Sequence, residues 1–160
     1  MASLAFVFPG QGSQAVGMLA DAYNAFPEVA ATFDEASTAL EYDLWKLVCD
    51  GPADALTLTE RTQPLILTAS VALYRAWIAN GGAAPAVVAG HSLGEFSALV
   101  AAQSLDFADA VRLVRRRGQA MQAAVPVGEG AMAAIIGLED ASINEICARV
   151  SLGPTAHHVS

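Results

Sequence analysis

The segment from Gly90 to Gly94 constrains the fold of this chain more than any other, because it has the spacing G-x-S-x-G. Residues 85–89 before it form a short apolar run with β-branched centres, which predicts a buried parallel strand. Residues 95–102 after it predict a helix. Ser92 therefore sits either on a strained nucleophile elbow or on a plain tight turn with a buried serine, and the flanking strand and helix favour the elbow.

Strands separated by helices predict an α/β fold with a parallel sheet. Residues 4–8 are expected as a first buried strand, which ends at a Pro-Gly turn. Helical periodicity and turn signals predict one long helix over residues 107–124, with Asp106 as its N-cap. The further predicted elements are helices over 16–23, 29–40, 44–49, 64–80 and 140–150, a linker over 125–130 and a strand over 131–136.

Composition and charge exclude several classes of function. The chain has 160 residues, of which 54% are hydrophobic, and a net charge of −8, which argues against binding to nucleic acid or to anionic membranes. It has no apolar stretch of membrane-spanning length, and its first residues lead us to expect no signal peptide. Cys49 and Cys147 lack metal-ligand spacing. We therefore expect a cytoplasmic protein with reduced thiols and no bound metal.

Two long motifs carry a resemblance to a known family. Residues 90–100, GHSLGEFSALV, and residues 8–14, FPGQGSQ, resemble the malonyl-CoA:acyl-carrier-protein transacylases of fatty acid synthesis and the acyltransferase domains of polyketide synthases. Thr62-Gln63-Pro64 and Arg117-Gly118 fall where that family has them. The resemblance covers about residues 4–150. It implies an α/β-hydrolase-like parallel-sheet core over 1–127, the start of a ferredoxin-like subdomain over 128–150 and a divergent tail over 151–160.

Arg117 conflicts with the periodicity of its own helix. At about 100° per residue, with Arg112 at zero, an apolar arc that includes Leu113 and Phe107 runs from about 100° to 220°, and Arg117 falls inside it at about 140°. A guanidinium there must reach water, pair with a buried carboxylate or hold a substrate carboxylate. The resemblance implies the last, because Arg117 matches the arginine that binds the malonyl carboxylate. The neighbouring arginines, Arg112, Arg115 and Arg116, are expected on a solvated face.

Other site residues have an ordinary structural interpretation beside the one that the resemblance implies. Gln11 lies in a polar turn, and by resemblance its backbone N–H forms the oxyanion hole with that of Leu93. Gln63 is a polar residue opening a helix, or a residue of the active-site pocket. Met121 is core filler, or a wall of the acyl pocket.

A serine nucleophile needs a base, and the chain offers no obvious one. His91 would point away from Ser92 on an elbow, so we expect it to pack instead. His157 and His158 lie in the divergent tail and match no family position. The resemblance implies that the catalytic histidine belongs to the second half of a protein about twice this length, so that the catalytic His is absent from this chain, which we expect to be truncated.

The function implied is transfer of a malonyl group from malonyl-CoA to the phosphopantetheine thiol of acyl carrier protein through a malonyl-Ser92 intermediate. CoA and phosphopantetheine are acyl-carrying substrates, and no cofactor is implied. Two alternatives remain open: a serine esterase or thioesterase, which G-x-S-x-G alone would allow, and a non-catalytic fragment that binds acyl-CoA or a complementing chain.

Overall fold

A computed structural model of the chain describes residues 4–125 and 135–151. These residues group into two compact units, one ending at Ala123 and the other beginning at Ala124. Their elements in chain order are β1 (Ala5–Phe8), α1 (Ala20–Ala25), α2 (Pro27–Leu40), α3 (Leu44–Asp50), α4 (Ala53–Thr57), α5 (Thr59–Ala79), β2 (Val87–Gly90), α6 (Leu93–Ala101), α7 (Phe107–Ala124) and α8 (Asp140–Ser151).

The two strands lie side by side and run parallel. Ala5 is opposite Val87, and Phe8 is opposite Gly90. The chain passes through five helices between the strands, which is the kind of long helical connection that a parallel pair requires. The described residues are therefore mixed α/β structure, mostly helical, with a small two-stranded parallel sheet, and the predicted α/β class is confirmed at this level.

Helix α5 forms the centre of the first unit. Every residue from Thr62 to Ala72 is buried, so this helix is surrounded on all sides. Helix α2 packs along it, and α6 lies between it and the two strands. The large apolar side chains that are fully buried in this core include Val29, Phe33, Leu40, Leu44, Leu65, Leu67, Val71 and Leu93.

Helix α5 begins at Thr59, five residues before the predicted start at Pro64. We expected proline in the first turn, but Pro64 lies in the second turn. The extra turn is fixed by Thr62, whose single hydroxyl hydrogen is shared between the carbonyl oxygens of Leu56 and Leu58. The backbone N–H groups of Arg61 and Thr62 also donate to the Leu58 carbonyl. These local hydrogen bonds, which periodicity does not reveal, extend the helix backwards.

The N-terminal helices also differ from the predicted ranges. Helix α1 begins at Ala20 instead of residue 16, because Gly17 and Leu19 have positive φ angles of 76° and 62°, which a helix cannot contain. Helix α2 begins at Pro27, which occupies the first helical position. The short helix α4 was not predicted at all.

Both strands are less buried than expected. One face of the sheet packs against helices, with Phe8 only 5% exposed. The opposite face consists of Ala5, Val7, Val87 and Ala89, and all four are exposed. We call these four residues the open face. The prediction of two fully buried strands is wrong, because within the described residues helices cover only one side of the sheet.

In the second unit, α8 (Asp140–Ser151) is one residue longer than the predicted helix. Asp140 in its first turn and Arg149 in its last complement the helix dipole. The predicted linker over 125–130 and strand over 131–136 fall almost entirely outside the described residues, and so does the tail over 151–160. Within the described ranges, the helices lack the combination of length and apolarity that a membrane crossing needs.

Candidate active site

Ser92 lies between the end of β2 and the start of α6. Its backbone has φ 53° and ψ −107°, a conformation that residues with a side chain rarely adopt. The Gly94 N–H donates to the His91 carbonyl at 2.9 Å, which closes the turn. The side chain of Ser92 is exposed. The structure therefore has the strand, strained turn and helix that the G-x-S-x-G spacing predicts.

Two glycines let this turn lie directly against the sheet. A Cβ on Gly90 would lie 2.1 Å from the carbonyl carbon of Gly94, and a Cβ on Gly94 would lie 2.2 Å from the carbonyl oxygen of Phe8. Both distances are far below van der Waals contact, so any larger residue would push α6 away from β1 and β2. The glycines of the motif thus fix the height at which Ser92 stands above the strands.

Arg117 on α7 connects the serine to α5. Its Nη2 donates to Ser92 Oγ at 2.9 Å, and its Nη1 donates to Gln63 Oε1 at 2.8 Å. Gln63 is fully buried, and its amide nitrogen is 3.3 Å from the sulfur of Met121. Four of the sequence-predicted side chains, Ser92, Arg117, Gln63 and Met121, therefore meet in one place. Gln63 lies in the second turn of α5 and does not open it as expected.

Arg117 lies at the border of the buried face of α7, not inside it. The buried residues of this helix are Phe107, Ala110, Val111, Val114 and Gly118, which span about 160° to 260° on the wheel used above. Leu113, at about 100°, is 45% exposed. The buried face therefore begins at a larger angle than the predicted apolar arc. Arg117, at about 140°, is half-buried at the edge of this buried face.

The charge of Arg117 is uncompensated in the described part of the chain. Its hydrogen-bond partners there are the neutral Ser92 and Gln63, and no carboxylate lies within ion-pair distance among those residues. Its guanidinium carbon lies 5.9 Å from the centre of the Phe96 ring, at the limit of a cation–π contact. The predicted alternative of a structural ion pair with a buried carboxylate is not what these residues form.

The backbone around Ser92 offers hydrogen-bond donors for an anion. Leu93 is the first residue of α6, so its N–H has no partner inside the helix. Gln11 lies in the turn after β1, which the Gly12 N–H stabilises by donating to Gln14 Oε1 at 2.9 Å. Within the described ranges, neither the Gln11 N–H nor the Leu93 N–H donates a hydrogen bond to the protein.

The histidines do not supply a base in the part of the chain that the structure describes. The hydrogen bond of Ser92 Oγ there is to Arg117, whose guanidinium has only donors and cannot act as a base. His91 is exposed, so the packing role that we expected for it is wrong. His157 and His158 lie outside the described residues. Among those residues, no three His, Cys, Asp or Glu side chains cluster closely enough to hold a metal ion.

The other arginines of α7 are structurally distinct from one another. Arg112 pairs with Asp109 at 2.8 Å on the exposed surface. Arg115 is half-buried, in contrast to the solvated position that we expected. It donates to the Leu40 carbonyl at 3.0 Å and lies 5.7 Å from the centre of the Tyr42 ring. It thereby caps the C-terminus of α2 and has a packing role.

Two residues of the site, Phe96 and Gly118, were not predicted from the sequence. Phe96 follows Ser92 by one helical turn, and this spacing could have indicated its place beside Arg117. Gly118 would place a Cβ 2.6 Å from the Thr59 carbonyl oxygen and from the Glu60 Cα, so it permits the close approach of α7 and α5. That approach is what brings Arg117 to Gln63, and only its position next to Arg117 could have drawn attention to Gly118.

The family model and the similar proteins of known sequence point to the same family. Residues 5–153 match the family model described as an acyl transferase domain. The chain is 62% identical, over 160 residues, to the malonyl CoA-acyl carrier protein transacylase of Escherichia coli (strain K12), an alignment that covers 100% of this chain and 52% of the relative. It is 48% identical over 151 residues to that of Bacillus subtilis (strain 168), with 94% and 47% covered.

Solved structures agree. The malonyl CoA-acyl carrier protein transacylase of Coxiella burnetii superimposes with a TM-score of 0.88 at 60% identity, which covers 94% of this chain and 48% of the relative. A malonyl-transacylase in complex with a type II PKS acyl-carrier protein gives 0.87 at 56% identity, with 94% and 49% covered.

The alignment with the E. coli protein includes the last ten residues, where we expected the similarity to have ended. The chain spans about half the length of the curated relatives that it matches. With the family model, the identities and the superpositions in agreement, the chain belongs to the malonyl-CoA:acyl-carrier-protein transacylase family and corresponds to the N-terminal portion of its members.

Proposed function

We propose that this chain provides the nucleophile and the carboxylate-binding arginine for transfer of a malonyl group from malonyl-CoA to the phosphopantetheine thiol of acyl carrier protein. The observation that carries the proposal is the double hydrogen bond of Arg117, with Nη2 on Ser92 Oγ and Nη1 on Gln63. These two nitrogens form the fork that binds a carboxylate, and one of them, Nη2, already contacts the serine.

In the proposed reaction, Ser92 Oγ attacks the thioester carbonyl while a base accepts its proton. The tetrahedral oxyanion is held by the N–H groups of Leu93 and Gln11, and the CoA thiol leaves with a proton. The carrier thiol then attacks the malonyl-Ser92 ester by the same steps in reverse order. We place the histidine base in the region that corresponds to the second half of the relatives.

Arg117 would exchange partners when malonyl is bound. Hydrogen bonds from a guanidinium to a carboxylate are stronger than those to neutral oxygens. The malonyl carboxylate would therefore displace Ser92 Oγ from Nη2, Gln63 Oε1 from Nη1, or both. Gln63 remains beside the fork as a buried acceptor that keeps Arg117 oriented when no substrate is present. Met121 would border the space for the acyl group.

We further propose the domain division implied by the resemblance: a hydrolase-like core over residues 1–127, and the beginning of a ferredoxin-like subdomain over 128–150. The partners proposed are malonyl-CoA and acyl carrier protein, with no nucleic acid or membrane. Acyl carrier proteins are acidic, so docking onto a chain of net charge −8 requires a local basic surface. In this proposal, the exposed Arg112 and Arg116 of α7 contribute to that surface.

Transfer and hydrolysis distinguish the proposal from the esterase alternative. The test uses this chain joined after residue 160 to the remaining sequence of the E. coli relative, which we call the extended protein; the E. coli protein itself is the positive control. We expect malonyl transfer to carrier protein to be much faster than release of free malonate. Malonate release that is independent of carrier protein would support an esterase or thioesterase and contradict the proposal.

Gly118 offers a test of how the arginine is positioned. In the extended protein, Gly118→Ala should separate α7 from the start of α5 and move Arg117 relative to Ser92, because the added methyl group would meet the α5 backbone. A misplacement of this kind lowers rates by about 10- to 100-fold. We expect such a loss in malonyl transfer and a smaller one in acetyl transfer.

The matched control is Ala120→Ser, which adds one heavy atom at an exposed position of the same helix. It should leave the ratio of malonyl to acetyl transfer unchanged. If Gly118→Ala slowed both transfers equally, the glycine would have a purely structural role.

A further inference from the structure

The open face, formed by Ala5, Val7, Val87 and Ala89, is an apolar surface that the first unit leaves uncovered. Val7 is 78% exposed and Val87 is 60% exposed, although both lie in the middle of a parallel sheet. Parallel sheets occur almost only with both faces covered, because their strands are apolar on both sides. The first unit alone does not meet this requirement.

An apolar groove runs along β1 beside the open face. It has a volume of about 510 Å³ and lies between β1 and helix α5. Leu73 and Trp77 of α5, which border it, are 46% and 45% exposed, which is high for large apolar side chains at the centre of a unit. Among the described strands, β1 is paired only with β2, so its other edge is free. A free apolar edge next to such a groove is a surface on which a further strand could be added.

The relatives indicate what would cover this surface. The curated and solved relatives match this chain over about half of their own length. They therefore have a second half of similar size that this chain does not contain. A second copy of the chain is a poorer occupant, because each copy carries a net charge of −8 and association would bring two acidic chains together.

We propose that the open face and the β1 groove together form a docking surface that binds, as a separate polypeptide, the sequence corresponding to the second half of these relatives. The chain and this partner would form a 1:1 complex in which the partner continues the sheet from β1 and covers the open face. This inference rests on the proposed function only in its last consequence, that the complex transfers malonyl.

The experiment uses the 160-residue chain and, as a separate chain, the E. coli sequence that follows the aligned region. They are mixed and also co-expressed, and the mass of the product is measured by light scattering after size exclusion. Amide hydrogen exchange of residues 5–8 is followed in parallel. We expect the chain alone to aggregate or to form oligomers, and the mixture to give a 1:1 complex in which the amides of β1 exchange at least tenfold more slowly.

Substitutions on the surface test where the partner binds. Val7→Asp should weaken association at least tenfold, because it places a charge in the proposed interface. Leu113→Asp is the matched control: Leu113 is a large apolar residue 45% exposed on α7, away from the open face, and its substitution should have no effect. Failure of the two chains to associate, equal effects of the two substitutions, or a product containing only copies of this chain would overturn the proposal.

Activity separates this inference from the proposed function. If the extended protein transfers malonyl but the separate chains do not associate, the docking surface is disproved and the proposed function stands. If a 1:1 complex forms with protected β1 amides, while neither it nor the extended protein transfers malonyl, the docking surface stands and the proposed function is disproved.

Discussion

Ser92→Ala in the extended protein is expected to lower malonyl transfer by about 10⁴-fold or more, the range observed when an enzyme loses the nucleophile of a catalytic triad. The physical reason is that the strained turn exposes a single hydroxyl beside Arg117, and alanine removes the atom that would carry the malonyl group. Rates of transfer to carrier protein, measured at saturating malonyl-CoA, give the result.

The controls are other serines of the chain. Ser13 donates to the Gly10 carbonyl in the turn after β1, and Ser104 is exposed after α6, so neither hydroxyl lies on the elbow. Ser13→Ala and Ser104→Ala should each change the rate by less than about threefold, as expected for surface substitutions within about 0.5 kcal/mol. A Ser92→Ala enzyme that retains a tenth of the original rate would disprove the nucleophile.

Arg117→Ala is expected to raise the activation free energy of malonyl transfer by about 2–5 kcal/mol, the range for removing one partner of a buried charge pair. Acetyl transfer should fall far less, because acetyl has no carboxylate for Arg117 to hold. The measurement is kcat/KM for malonyl-CoA and acetyl-CoA in the extended protein and in the variant. The ratio of the two substrates isolates the carboxylate contact from any general loss of stability.

Two further variants sharpen this prediction. Arg116→Ala removes an adjacent arginine whose side chain is exposed, and it should leave the substrate ratio unchanged. Arg117→Lys keeps the charge but loses the planar fork, so it should recover only part of the preference for malonyl. Equal losses for malonyl and acetyl in Arg117→Ala would show that the arginine acts only on the structure, through Gln63 and Ser92.

The elbow was predictable from sequence because all of its determinants are local. A strand, two glycines at fixed positions and a helix start lie within about a dozen residues, and glycine is required because a Cβ at either position would lie only 2.1 to 2.2 Å from neighbouring backbone atoms. The long helix α7 and its cap at Asp106 were predictable for the same reason. The Asp106 carboxylate accepts a hydrogen bond from the Asp109 N–H at 3.0 Å.

The partners of Arg117 were not predictable from the residues alone. Its position on the wheel showed only that the charge needed a partner, and the choice of Gln63 depends on the packing of α7 against α5, which are 54 residues apart at this contact. The start of α5 at Thr59 depends on the same packing, since Gly118 lies against the Thr59 and Glu60 backbone. The exposure of Val7 and Val87 could not be inferred either, because apolar strand residues predict burial without showing what covers them.

Identifying the residue that carries the malonyl group tests directly whether Ser92 is the nucleophile. The extended protein is mixed with isotopically labelled malonyl-CoA without carrier protein, quenched in acid and digested, and the labelled peptide is sequenced by mass spectrometry. We predict that the label lies on Ser92, that it disappears in Ser92→Ala, and that it is released when carrier protein is added before the quench. A label on any other residue, or a label that survives the substitution of Ser92, would contradict it.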